Sequence, residues 1–153
     1  MEVNQRLGDL AFQKRDYAAA LQHYRQAGEY PKNLEVAPRT PDFRAHVNWN
    51  LARVYRAMGN PGEEAKHLKL VLAEKYSRAH LGTYYQALAG RASGNEEAYR
   101  ALLDKLEQRA RALTSGKFEH RGSREAVGHY LLSLVLAEKG DAEGAAAAHK
   151  RAV

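Results

Sequence analysis

The chain has 153 residues, of which 44% are hydrophobic and 27% are charged, and its formal net charge is +6 at pH 7. This composition is typical of a globular protein and excludes a disordered chain or a fibrous repeat. Because cysteine is absent, disulfide bonds, thiolate catalysis and cysteine-based zinc sites are excluded. No apolar run approaches the roughly 20 residues that span a bilayer, and there is no signal-peptide pattern. We therefore expect a cytoplasmic protein without a membrane partner.

Hydrophobic spacing and helix-ending signals divide the chain into eight predicted helices. Their spans are 2–14, 17–28, 41–58, 61–75, 78–92, 96–113, 124–139 and 142–152. Two stretches, 29–39 and 114–122, have the composition of connections. Paired in order, the helices form four antiparallel hairpins over residues 2–28, 41–75, 77–113 and 123–153. We predict that these hairpins form one domain of residues 1–153.

Short signals mark the turns of these hairpins. Gly59-Asn60, Gly94-Asn95 and Gly140-Asp141 each join a glycine to a capping side chain. Glycine tolerates the left-handed backbone that ends a helix, and Asn or Asp caps the helix that follows. By the same logic Asp16 is predicted to cap the second helix, and Ser77 is predicted to cap the fifth.

A pattern recurs at the start of each hairpin. Its fullest copy consists of Leu7-Gly8-x-x-Ala11, Tyr17, Ala20-x-x-x-Tyr24, Ala27 and Pro31. Partial copies begin at Leu51, Leu81 and Leu132. This pattern resembles the tetratricopeptide repeat (TPR), a unit of two helices and about 34 residues. The resemblance implies an all-α superhelix of about four hairpins whose concave groove binds another protein, with small residues where paired helices cross.

Motifs of catalysis or metal binding do not occur in this sequence. The seven histidines are scattered, and the HExxH, GxSxG and glycine-rich phosphate-binding patterns are missing. We therefore predict a non-enzymatic protein that needs no cofactor or metal. His149 occupies an aromatic position of the TPR pattern, so we predict that it packs in the core rather than binding a metal.

The TPR resemblance implies that one face of the first helix in each hairpin lines the groove. In the second hairpin this face carries His46, Trp49, Asn50, Arg53 and Arg56. Spacings of three and four residues place them on one stripe. Trp49, the only tryptophan, offers apolar contact, and the two arginines offer paired hydrogen bonds. Together they suit an acidic or aromatic peptide. The alternative is that Trp49 packs against a neighbouring helix and the arginines are solvated.

Some TPR proteins hold a C-terminal carboxylate with Lys, Arg and Asn side chains on this face. Asn50 matches one such position, but the corresponding residues of the first hairpin are Gln5 and Asp9. A carboxylate clamp is therefore not predicted. Further candidates on the groove face of the first hairpin are Arg6, Phe12 and Gln13.

A second candidate site is a basic stretch over residues 105–124, where six basic residues stand against two acidic ones, a net charge of +4. The basic residues are Lys105, Arg109, Arg111, Lys117, Arg121 and Arg124. One interpretation is a solvated helix face and loop. The other is a contact for an acidic protein or for nucleic acid, although Phe118 is the only aromatic residue among these charges.

The alanine-rich last helix has no further hairpin to cover it. We expect either a following hairpin in a longer protein or a homodimer through the C-terminal hairpin. In function, the sequence predicts an adaptor or scaffold that binds a peptide or helix of another protein in its groove. The alternatives are binding of nucleic acid or an acidic partner through the basic stretch, and a self-assembly module.

Overall fold

The computed structural model describes residues 2–29, 42–78, 80–115 and 121–153, with the backbone alone at residues 2, 42–43 and 121–123. Within these residues the chain forms eight α-helices and no strand, which confirms the predicted all-α, TPR-like fold. The helices are α1 (Glu2–Gln13), α2 (Tyr17–Gly28), α3 (Asp42–Ala57), α4 (Pro61–Ala73), α5 (Leu81–Ala92), α6 (Glu96–Thr114), α7 (Arg121–Glu138) and α8 (Ala142–Ala152). None of the helices described is long and apolar enough to cross a membrane. The connection predicted at 29–39 falls outside the described residues from position 30 onward.

The chain divides into two compact units, Met1–Glu74 and Lys75–Val153. Unit 1 contains the hairpins α1–α2 and α3–α4, and α2 packs on α3. Unit 2 contains the hairpins α5–α6 and α7–α8, and α6 packs on α7. The assignment of residues 1–153 to one domain stays a prediction.

Each hairpin turn has the same local design, which confirms the predicted caps inside the hairpins. The residue before the cap adopts a left-handed backbone, with φ of 59° at Arg15, 69° at Gly59, 79° at Gly94 and 83° at Gly140. The cap side chain then accepts a hydrogen bond from the backbone N–H three residues later, at 2.8–3.2 Å. The four caps are Asp16, Asn60, Asn95 and Asp141. Local sequence thus determines where one helix of a hairpin ends and the next begins.

The core of unit 1 depends on small residues that let helices approach closely. Ala20 and Ala27 are fully buried on α2, and Tyr24 between them is 1% exposed. Gly8 of α1 lies directly against the Tyr24 ring, because a Cβ placed on Gly8 would come within 2.5 Å of it. The predicted role of small residues at the helix crossing is therefore confirmed in the first hairpin.

Unit 2 contains a polar network at the contact of α5, α6 and α7. Glu138 of α7 accepts hydrogen bonds from the hydroxyls of Tyr84 (3.0 Å) and Tyr99 (2.7 Å). It also forms an ion pair with Arg91 at 3.0 Å, and the Arg91 guanidinium lies 4.5 Å from the centroid of the Tyr99 ring. One carboxylate therefore connects three helices from the two hairpins of this unit.

Two predicted helix starts are wrong. α5 begins at Leu81 rather than after Ser77, and its N-cap is His80, whose Nδ1 accepts from the N–H of Gly82 at 3.0 Å. Arg109 of α6 donates to backbone carbonyls just before this helix, which occupies groups that an earlier helical turn would need. α7 begins at Arg121, three residues before the predicted start, and lies against the last turn of α6. At α5, tertiary contacts thus override weak local propensity.

The predicted core position of His149 is also wrong. His149 is exposed, and the preceding residue, Ala148, takes the buried position on α8. A methyl side chain allows close packing of α8 on α7, whereas the polar imidazole remains in contact with water.

Candidate functional site

The candidate site is the face of unit 1 that α1 and α3, the first helices of its two hairpins, present together. We call it the α1–α3 face and define it by Asp9, Phe12, His46, Trp49 and Arg53. Asp9 is held by α2, because the Tyr24 hydroxyl donates to its Oδ1 at 2.6 Å. Burial and the adjacent Asp9 raise the pKa of Tyr24, so the phenol remains protonated and keeps donating this hydrogen bond.

Arg53 connects α3 to α1. Its guanidinium carbon lies 4.7 Å from the centroid of the Phe12 ring, and its Nη1 donates to Oδ1 of Asn50 at 3.3 Å. Among the described residues, no carboxylate lies within ion-pair distance of Arg53. Stacking on the ring orients the guanidinium and leaves several N–H donors without an acidic partner.

His46 lies about two turns before Arg53 on the same face of α3 and is partly buried. Burial lowers the pKa of His46; Asp9 opposes this shift, and Arg53 adds to it. The neutral imidazole is therefore favoured near neutral pH. A carboxylate brought to this face would offset the effect of Arg53 and favour the charged imidazole.

Asn50 is 2% exposed, and its side-chain Nδ2 has no hydrogen-bond partner among the described residues. The Nε2 atom of Gln5, on α1, is buried and also without a partner in the described part of the chain. Amide donors left unpaired in this way cost about 1–3 kcal/mol each, and their burial keeps them out of reach of a ligand on the surface. Trp49, between His46 and Arg53 in sequence, is partly buried, and helical periodicity predicts that it shares their face of α3.

Arg56, the fifth residue predicted at this site, is held differently. Its Nε donates to Oε1 of Glu64 at 2.7 Å, which ties α3 to α4 within the second hairpin. The structure therefore brings His46 and Arg53 close to each other and to Asp9, and gives Arg56 a partner of its own.

Sequence reasoning gave no binding role to Asp9, which the structure places in the site. The pattern offered a signal, because the equivalence of Leu7 with Leu51 puts Asp9 at the position of Arg53. Both of these charges act on the pKa of Tyr24 and on the pKa of His46, in opposite directions.

The basic stretch does not form one free surface. Arg109 donates to the backbone carbonyls of Tyr76 (3.4 Å) and Arg78 (3.1 Å), which closes the segment before α5 onto α6. Arg111 donates to Glu107 at 2.8 Å, one turn earlier on α6. Two of the six cations are therefore engaged inside unit 2.

The other basic residues are separated along the chain. Lys105 is exposed on α6 and Arg124 is exposed on α7. Lys117 and the side chain of Arg121 lie outside the described residues, so the structure does not place them. No group of three or more possible metal ligands occurs in the part of the chain that the structure describes.

The first hairpin matches the model of a known protein family. Residues 2–32, which include α1 and α2, match the family model of the tetratricopeptide repeat. The chain contains a TPR-type helical repeat. TPR repeats generally mediate interactions between proteins and are typically non-catalytic. The matched hairpin supplies Asp9 and Phe12 to the α1–α3 face. A search of curated proteins found no match to this chain.

Proposed function

We propose that this TPR-containing protein is a non-catalytic adaptor that binds an acidic segment of another protein on the α1–α3 face of unit 1. The observation that carries the proposal is Arg53, which is stacked on Phe12 and has no carboxylate partner among the described residues. An oriented guanidinium favours the paired hydrogen bonds of a carboxylate.

The surroundings of Arg53 support a mixed acidic and aromatic ligand. Trp49 is partly buried and offers apolar surface. Asp9, at the edge of the face, would repel an acidic side chain placed beside it and so orient the segment towards α3.

The test uses short synthetic peptides that combine glutamate with an aromatic residue, and matched peptides with glutamine in place of glutamate. Binding is followed by the emission of Trp49, the only tryptophan. We expect saturable binding of the glutamate peptides, and a loss of about 10-fold or more in Arg53→Gln, the size of one charged hydrogen bond.

Arg56→Gln is the matched control, because Arg56 is already paired with Glu64. Its affinity should change less than that of Arg53→Gln. Equal affinities of the wild-type protein and Arg53→Gln, or of the glutamate and glutamine peptides, would show that Arg53 does not recognise an acidic ligand. The cytoplasmic location and the homodimer stay predictions.

A further inference from the structure

A second surface of unit 1 lies on the side of α1 away from the α1–α3 face. Val3, Leu7 and Leu10 are spaced four and three residues apart, so they form one stripe on the helix, which we call the outer stripe. Their exposed fractions are 69%, 40% and 52%. Three exposed aliphatic side chains in a row are uncommon on a surface that has no partner.

The chain itself shows what such a stripe contacts. In the repeat pattern Leu7 corresponds to Leu51, so the outer stripe corresponds to Val47, Leu51 and Val54 of α3. These three residues are 7%, 5% and 0% exposed, because α2, the second helix of the preceding hairpin, packs on them. On α7 the equivalent residues Gly128, Leu132 and Val135 are buried, where α6 packs on α7. The outer stripe therefore has the geometry of a surface that receives a helix.

The charge next to the stripe indicates the chemistry of that helix. Lys14 directly follows α1, one turn after Leu10, and forms no ion pair with any described residue. It corresponds to Lys139, the residue that follows α7, whose Nζ donates to Asp104 (2.6 Å) and Glu107 (2.7 Å) of α6. These contacts raise the pKa of Lys139 and lower the pKa of Glu107. An incoming helix would match Lys14 in the same way if it carried carboxylates at these positions.

A second copy of this chain does not fit that requirement. Counted from the N-caps, the place of Asp104 in α6 is taken by Arg25 in α2, Lys69 in α4 and Lys150 in α8. Docking α8 of a second copy on α1 would therefore bring Lys150 towards Lys14, and like charges oppose the contact. Of the four second helices that the structure describes, α6 alone has an acidic residue at this position, and α7 already covers it.

We propose that the outer stripe and Lys14 dock an amphipathic helix of a partner protein that carries carboxylates beside its apolar face. This surface is distinct from the α1–α3 face. The hairpin α1–α2 would then be extended by a helix in trans, in the way that α2 extends α3–α4 in cis.

The probe is a fluorescent, helix-stapled peptide with the sequence of residues 96–114, which is the α6 sequence, added to the full chain. We expect saturable anisotropy changes with the wild-type protein and a loss of about 10-fold or more in Leu10→Asp. Leu70→Asp is the matched control, because Leu70 is 47% exposed on α4 of the same unit, and it should bind as the wild type does. Circular dichroism confirms that each variant is folded.

A charge exchange tests the role of Lys14. Lys14→Glu should bind the peptide about 10-fold more weakly, and a peptide with Asp104→Lys and Glu107→Lys should restore binding to that variant. Arg53→Gln should bind the probe normally, which separates this proposal from the proposed function. Binding that is unchanged in Leu10→Asp would overturn the proposal, since the probe would then occupy another site such as α7. Failure of the wild type to bind, or self-association in sedimentation that Leu10→Asp abolishes, would overturn it too.

Discussion

Replacing Gly8 by alanine tests the close approach of α1 to α2. A Cβ on residue 8 would lie 2.5 Å from Cε1 and 2.7 Å from Cδ1 of Tyr24, distances that real Cβ atoms essentially never show. The Tyr24 ring cannot move easily, because it is 1% exposed and its hydroxyl is bonded to Asp9 at 2.6 Å. Either the ring or α1 must therefore shift in the variant.

Two opposing effects set the size of the change in stability. Alanine favours a helix interior over glycine by about 1 kcal/mol. Overpacking a rigid site costs about 1–3 kcal/mol. We expect Gly8→Ala to lower the free energy of unfolding of unit 1 by about 1 kcal/mol. At a site with space for the methyl group, the same substitution would raise it.

Urea unfolding followed by Trp49 emission measures this quantity, because the single tryptophan lies on α3 of unit 1. Gly62→Ala is the matched control, since the nearest atom to its Cβ would be Asn60 Oδ1 at 3.8 Å, an ordinary contact. The control should be neutral or stabilising. A Gly8→Ala variant that gains stability as much as Gly62→Ala does would refute the argument for a close approach at Tyr24.

Three further predictions concern the turns and the polar contacts. Arg15→Gly should stabilise unit 1 by up to about 1 kcal/mol in the same assay, because Arg15 has φ of 59° where the other hairpin turns have glycine. Gly59→Ala should destabilise the unit, and a loss of stability in Arg15→Gly would contradict the prediction. Glu138→Ala should lower the free energy of unfolding of unit 2 by about 1–3 kcal/mol, because it leaves the Tyr84 and Tyr99 hydroxyls without their acceptor. Urea unfolding followed by circular dichroism measures this change, with substitution of the exposed Glu143 by alanine as the control. Equal effects of the two variants would be inconsistent with the network. Hydrogen bonds from Lys139 and Arg111 hold the pKa of Glu107 below its ordinary value of 4.5. The ionised carboxylate therefore contributes its full stabilisation above that pH, and the contribution is lost as the pH falls below it. Glu107→Gln should reduce the loss of stability between about pH 5 and pH 3, and an unchanged loss over this range would argue against the contribution.

The sequence alone determined the features that depend on neighbouring residues. The turns at Asn60, Asn95 and Asp141 were predicted from a glycine followed by a cap, because capping connects groups only three residues apart. The buried Ala20 and Tyr24 followed from the TPR pattern, because their spacing records the contact between two adjacent helices. The stripe of His46, Trp49, Asn50, Arg53 and Arg56 was predicted from helical periodicity and stays a prediction as a binding site.

Only the tertiary structure decided which of these side chains are already engaged within the chain. Arg53 and Arg56 are equivalent by periodicity, yet Arg56 binds Glu64 while Arg53 stacks on Phe12, 41 positions earlier in the chain. Arg109 appeared as one charge in a basic stretch, but it binds carbonyls 31 and 33 residues away and so delays the start of α5. The physical reason is that caps and helix faces are set by groups a few residues apart. The partners of long charged side chains are set by helices that meet only when the chain folds.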